Sequence, residues 1–160
     1  MESISQSEQP KVFICHAWDN KKVAYRIEAE LKTAGVNVWV DHSEVVGGDV
    51  IPENVSEAIE DCDIFVLVWS RAAKRSEWVR REWTAAIDLG KKIIAFRIDN
   101  TKLPVILMGS AHIQAKNIDN GIADLSKAIS GVRPQPRKKA RVPLKLFFGV
   151  SGVFVLIILL

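Results

Sequence analysis

Apolar residues recur along residues 11–130 in two alternating rhythms. The run 11–15 (KVFIC) is β-branched and aromatic and predicts a strand. After a polar break at 16–20, Val23, Ile27, Leu31 and Ala34 return at helical spacing, with Asp19 or Asn20 as cap and Gly35 as stop. Residues 36–40 (VNVWV) predict a second strand, and 41–49 a loop carrying Gly47 and Gly48. Ile51, Val55 and Ile59 then share one helix face. Residues 63–69 (DIFVLVW) form the most apolar run and predict a central strand buried on both sides. Residues 71–76 read as a basic loop before a helix from 77 to about 89, ended by Gly90. Residues 92–98 (KIIAFRI) predict a fourth strand, 99–110 a loop holding Pro104, and 111–116 a weak edge strand. A last helix carries Ile122, Leu125 and Ile129. Alternation of this kind with short connections predicts an α/β fold, a doubly wound parallel sheet with helices on both faces. Sites in such sheets lie at the carboxyl ends of the strands, which nominates the loops after Cys15, Val40, Trp69 and Ile98.

The rhythm stops near Gly131. Residues 131–145 carry three prolines and all six basic residues of the tail, and predict a semi-extended tether. Residues 146–160 (LFFGVSGVFVLIILL) hold no charge. As a helix they span about 22 Å against a hydrocarbon core of roughly 30 Å. Starting at Val142 lengthens the span at the cost of Lys145, which can snorkel to the headgroups. A buried core helix, or the start of a longer chain, is the alternative. The flank RPQPRKKARVPLK favours a membrane helix, because Lys and Arg collect on the cytoplasmic side and attract anionic lipid. The expectation is a single-pass membrane protein with its domain in the cytoplasm. Residues 1–10 are polar, lack the apolar run of a signal peptide, and read as a disordered N-terminus.

Charge sharpens this division. From Arg133 onward there are six basic residues and no acidic one. The remainder holds 16 Lys and Arg against 19 Asp and Glu, a net of −3. A mildly acidic body argues against a nucleic-acid-binding face. Cys15 and Cys62 match no metal-ligand spacing and read as reduced thiols. No metal is expected, since His16, His42 and His112 are scattered. Gly47-Gly48 lacks the spacing of the common nucleotide-binding loops.

The helix at 77–89 is more informative. Val79, Trp83, Ala86 and Gly90 make its expected buried face. Trp78, Glu82, Ala85 and Leu89 lie about 100° to one side. Glu82 is therefore expected at the margin of the core beside an aromatic, partly desolvated and next to a platform for a flat ligand. A solvated glutamate on a helix flank, with a tryptophan packed for stability, satisfies the same spacing. Trp39 and Trp69 are expected in the core, and Trp18 in a more open loop.

Four motifs, in order over roughly residues 11–100, resemble the TIR (Toll/interleukin-receptor) domain family. Val12-Phe13-Ile14-Cys15-His16 resembles the first box, FISY or FISH. Residues 34–41 (AGVNVWVD) resemble the second strand, and residues 46–51 (VGGDVI) the glycine-bearing BB loop. FVLVWS at 65–70, with Ser76, Trp78 and Glu82, resembles the block ending in S-x-W-x-x-x-E. Val79 stands where plant members carry Cys, and His16-Ala17-Trp18 where some NAD-cleaving members carry basic residues.

The resemblance implies a flavodoxin-like TIR fold and two functional branches. Receptor and adaptor members are assembly modules. The bacterial-type branch cleaves NAD+ with the glutamate that is Glu82 here, and this chain keeps it. The substrate would be lined by Trp78, Trp18, Ala17, Asp41, Gly48, Asp49 and Ser70. NAD+ is then the substrate, and no separate cofactor is expected. The partners implied are NAD+, a second copy of the TIR domain and membrane lipid. The setting implied is bacterial immune, antiviral or cell-suicide signalling. A non-catalytic scaffold acting by TIR–TIR assembly is the competing expectation.

Overall fold

The computed structural model describes residues 9–40 and 52–132. Its elements follow the alternation: β1 (Lys11–Cys15), α1 (Lys21–Thr33), β2 (Asn37–Val40), α2 (Glu53–Asp61), β3 (Ile64–Trp69), α3 (Arg71–Arg75), α4 (Glu77–Asp88), β4 (Lys92–Arg97), β5 (Ala111–Gln114) and α5 (Ile118–Ser130). The five strands form one parallel sheet in the order β2-β1-β3-β4-β5. The chain moves one way from β1 to β2 and the other way from β3 onward, so the topological switch point lies between β1 and β3.

Strand alternation builds two cores, one on each face. Val12 and Ile14 of β1 and Ile64, Val66 and Val68 of β3 pack with Ile27 and Leu31 of α1 and Ile122, Leu125 and Ile129 of α5. Phe13, Cys15, Phe65, Leu67 and Trp69 point the other way, toward Val55 and Ile59 of α2 and Val79 and Ala86 of α4. A strand with apolar residues at consecutive positions serves both faces, which is why the central run is the most apolar. Gly35 (φ +82°) and Gly90 (φ +65°) turn the chain out of α1 and α4 in the left-handed region, as helix-ending glycines do.

Several local expectations are corrected. Residues 71–76 are not a loop, because Ser70 caps a one-turn helix there by accepting the Ala73 N–H at 3.0 Å. Ala34 is exposed, because α1 ends at Thr33 and leaves it as the cap; Ala24 is buried in its place. The last strand is two residues shorter than expected, ending at Gln114. Trp69 is in the core, but Trp39 is only half-buried. Its strand is an edge strand, and the ring lies stacked on Phe13 with centroids 4.8 Å apart. In the β4–β5 connection Leu107 is buried, while Val105, Ile106 and Met108 are exposed. Among the described residues no helix is long and apolar enough to cross a membrane. The expected span at 146–160, the tether and the N-terminus lie outside the described residues.

Cys62 closes α2 and donates to the Ile59 carbonyl at 3.2 Å. Burial pushes its thiol up to about 12; the Lys91 charge opposes this, and Asp63 and Asp61 add to it. The folded thiol keeps its proton where the unfolded one, at 9.0, gives it up. Folding stability is therefore expected to fall as pH rises from 9.0 toward 12. Denaturant unfolding across that window should show the slope, and Cys62→Ala should flatten it.

Candidate active site

The register sets the floor of the crevice. Cys15 pairs with Leu67, so β1 stops two residues short of the end of β3, and the loop at 16–20 lies beside Val68, Trp69 and Ser70. Ala17 is buried in the same core as Trp69 and Val79. Residues 18–20 make a 3-10 turn that leaves the Trp18 indole 42% exposed, with Lys21 Nζ 3.6 Å from its ring centroid. Such a cation–π contact is worth about 0.5–1 kcal/mol at an exposed site and holds the ring in place. His16 is buried; its Nδ1 lies 3.0 Å from the Ala17 carbonyl oxygen, and its ring meets Tyr25 edge-on.

The third loop is tied on both sides. Ser70, 3% exposed, gives its hydroxyl proton to Asn20 Oδ1 at 2.6 Å. Trp69 Nε1 donates to the Thr101 carbonyl at 3.2 Å and the Lys102 carbonyl at 3.3 Å. Asp99 accepts the backbone N–H groups of Arg71 and Thr101, each at 2.8 Å. Burial raises the Asp99 carboxyl, but these bonds, the Thr101 hydroxyl and the Arg71 charge outweigh it and leave it below its ordinary value.

The carboxylate comes from α4. Ser76 caps this helix by accepting the Val79 N–H at 3.2 Å. The helix runs antiparallel to the strands, as a crossover helix must, so its first turns lie at their carboxyl ends. Glu82 is its sixth residue, about 8 Å from the helix start at 1.5 Å per residue. It is 1% exposed and lies in one row with Val79 and Ala86, facing the sheet. The expectation of a marginal position is thus corrected. α4 packs against β1, β3 and β4 together, which turns the Val79–Glu82–Ala86 row inward and leaves Trp83 half-buried at the side. Trp78 is also half-buried, on the same core.

Of the residues nominated from sequence, the structure brings Ala17, Trp18 and Ser70 to the switch point. It sets Trp78 and Glu82 on the first turns of α4, on the face that packs against β1 and β3. Asp41, Gly48 and Asp49 lie outside the described residues. Asn20 was missed as a site residue, because its sequence signal is that of a helix cap. A groove of about 380 Å³ between α1 and α5 is on the opposite face of the sheet from Glu82. No group of His, Cys, Asp and Glu fit to hold a metal occurs among the described residues.

A doubly wound sheet in the order 2-1-3-4-5, with a buried carboxylate on the helix that lies across β1, β3 and β4, defines the class. The chain belongs to the TIR domain family, whose model matches residues 12–130. Similar solved structures include the TIR domain of a Toll-related receptor from Hydra magnipapillata, at 22% identity and TM-score 0.59, over 74% of this chain and 97% of that one. A CMP N-glycosidase from Clostridium botulinum matches at 19% identity and TM-score 0.55, over 74% and 98%. The TIR domains of the activated Roq1 resistosome match at 14% identity and TM-score 0.58, over 76% and 97%. At these identities the likeness is one of fold. No curated protein matches the sequence.

Proposed function

We propose that this chain is a TIR-domain NAD+ glycohydrolase or cyclase, held at a membrane by residues 146–160 and acting in bacterial immune or cell-suicide signalling. The observation that carries the reading is the burial of Glu82. A carboxylate 1% exposed, on the sheet-facing row of α4 near the carboxyl ends of the strands, serves packing poorly and charge chemistry well. The neighbour named as a CMP N-glycosidase supports it, because that name also specifies cleavage of a base–ribose bond.

The chemistry follows from charge. In NAD+ the bond from the ribose C1′ to the pyridinium nitrogen breaks, and its electron pair leaves with nicotinamide, which becomes neutral. Positive charge develops at C1′ and the ring oxygen. Glu82, as carboxylate, stabilises that charge or orients the ribose hydroxyls, as glycosidase carboxylates do. Water then adds at C1′ and releases a proton, giving ADP-ribose; attack by the adenine of the same molecule gives the cyclic product. Trp78 offers a flat face to the ring and excludes water. Asp41, Gly48 and Asp49 would complete the substrate lining. No cofactor is required. The test is direct: the detergent-solubilised full chain incubated with NAD+ should release nicotinamide, and none at any protein concentration would refute the reading.

The exposed Val105, Ile106 and Met108 favour a second reading, a non-catalytic scaffold that works by TIR–TIR assembly. The two are compatible if the site is completed by a second copy. Specific activity is then expected to rise with protein concentration across a roughly hundredfold dilution series, because assembly follows mass action. A flat response would count against required assembly.

A further inference from the structure

We infer that Asn20 is a positioning residue of the site, holding the first strand-end loop against the third across the switch-point crevice. The inference rests on the reading of that crevice as the place where NAD+ binds. Asn20 is the N-cap residue of α1, and asparagine at an N-cap normally turns its side-chain oxygen back onto the helix's own free N–H groups. Here it makes no such bond. Its Oδ1 instead accepts the Ser70 hydroxyl proton at 2.6 Å, across fifty residues of sequence. The cap interaction is given up for a contact between two loops.

Ser70 makes the contact directional. Its Oγ already accepts the Ala73 N–H at 3.0 Å, which caps α3, so its one proton has a single use and goes to Asn20. The serine itself is 3% exposed and Asn20 half-buried, so the bond is partly shielded from competing water. Nearby contacts stiffen the same loop: the Asn20 N–H donates to the Ala17 carbonyl at 2.8 Å, and Lys21 covers the Trp18 ring. Ala17 and Trp18 are therefore placed by a bond whose far end is Ser70, the residue that follows β3 and caps α3. The bond ties the two loops together beyond the carboxyl ends of β1 and β3. A loop fixed before the substrate arrives costs less ordering on binding, so the effect belongs to affinity more than to the chemical step.

The test compares Asn20→Ala, Asn20→Leu and Asn20→Asp in the full chain. Alanine and leucine remove the acceptor, while aspartate keeps an oxygen in the same place. Loss of one such hydrogen bond is expected to raise KM for NAD+ about tenfold, with kcat changed by less than about threefold. Asn20→Asp should stay within about threefold of the native chain in both. Amide exchange at residues 16–21 should quicken about tenfold in Asn20→Ala and not in Asn20→Asp. Unchanged KM with unchanged exchange would overturn the inference. So would equal impairment in Asn20→Asp and Asn20→Ala, or a fall in melting temperature with KM untouched. If the native chain releases no nicotinamide, the functional reading fails. The exchange comparison then decides the clamp by itself, with equal rates in Asn20→Ala and the native chain as the overturning result.

Discussion

Glu82→Gln is expected to leave a folded domain that releases nicotinamide from NAD+ at least about a hundredfold more slowly than the native chain, the scale seen when one stabilising group is removed from a transition state. The amide has the shape of the carboxylate, so the Val79–Glu82–Ala86 row still packs against the sheet. What the substitution removes is the negative charge that the proposed mechanism sets against C1′ as the bond breaks. Because the side chain is 1% exposed, solvent cannot substitute for that charge, and a larger loss is in keeping with the site. Glu82→Ala is the less informative change, since it removes buried atoms and opens a cavity as well. Activity should fall in kcat with KM little changed. Native-like turnover in a folded Glu82→Gln protein would remove Glu82 from the mechanism. Failure of that protein to fold would make it a structural residue, and the proposed function would lose the observation on which it stands.

The second large effect concerns residues outside the described part of the fold. The full chain is expected to stay with membranes through an alkaline carbonate wash. Replacing Leu156 with Asp and Ile158 with Lys should release it, because mid-span charges cost about 2.5–3.5 kcal/mol each on insertion scales. Residues 146–160 give fifteen uncharged positions, so a span there would have little slack for tilt and would rely on Lys145 at the interface. Removing residues 133–160 should give a folded domain in the soluble fraction. The two cores are built from residues 12–132, and both faces of the sheet are already covered by α1, α2, α4 and α5. Extraction of the native chain by carbonate would show that the segment packs on protein or lies on the surface.

Much of the fold was legible because its causes are local. Residues 64–69 carry apolar groups at consecutive positions, and only a strand covered on both faces uses them all. Val79 and Ala86, seven residues apart, mark a helix face whatever lies beneath it. Gly35 and Gly90 end helices through their own backbone freedom. The motif around Ser76, Trp78 and Glu82 marked the family, and with it the strand order that periodicity alone leaves open.

Sequence and structure part where a neighbour decides. Nothing in residues 71–76 says that a serine before them will cap a turn, or that Trp39 will face an open edge and not a covered strand. Helical spacing placed Glu82 near the core but could not say how far round α4 would turn. That depends on which three strands the helix lies across. Asn20 looked like a cap because the residue type and position are those of a cap; its oxygen was redirected by Ser70, a residue fifty positions away. Sequence by itself determined the elements and the two-faced sheet, since periodicity, turn chemistry and motif spacing act within a few residues. Only the tertiary structure decided how deeply Glu82 is buried and which side chains meet across the crevice, because burial and long-range hydrogen bonds are properties of the packed surfaces and not of either segment alone.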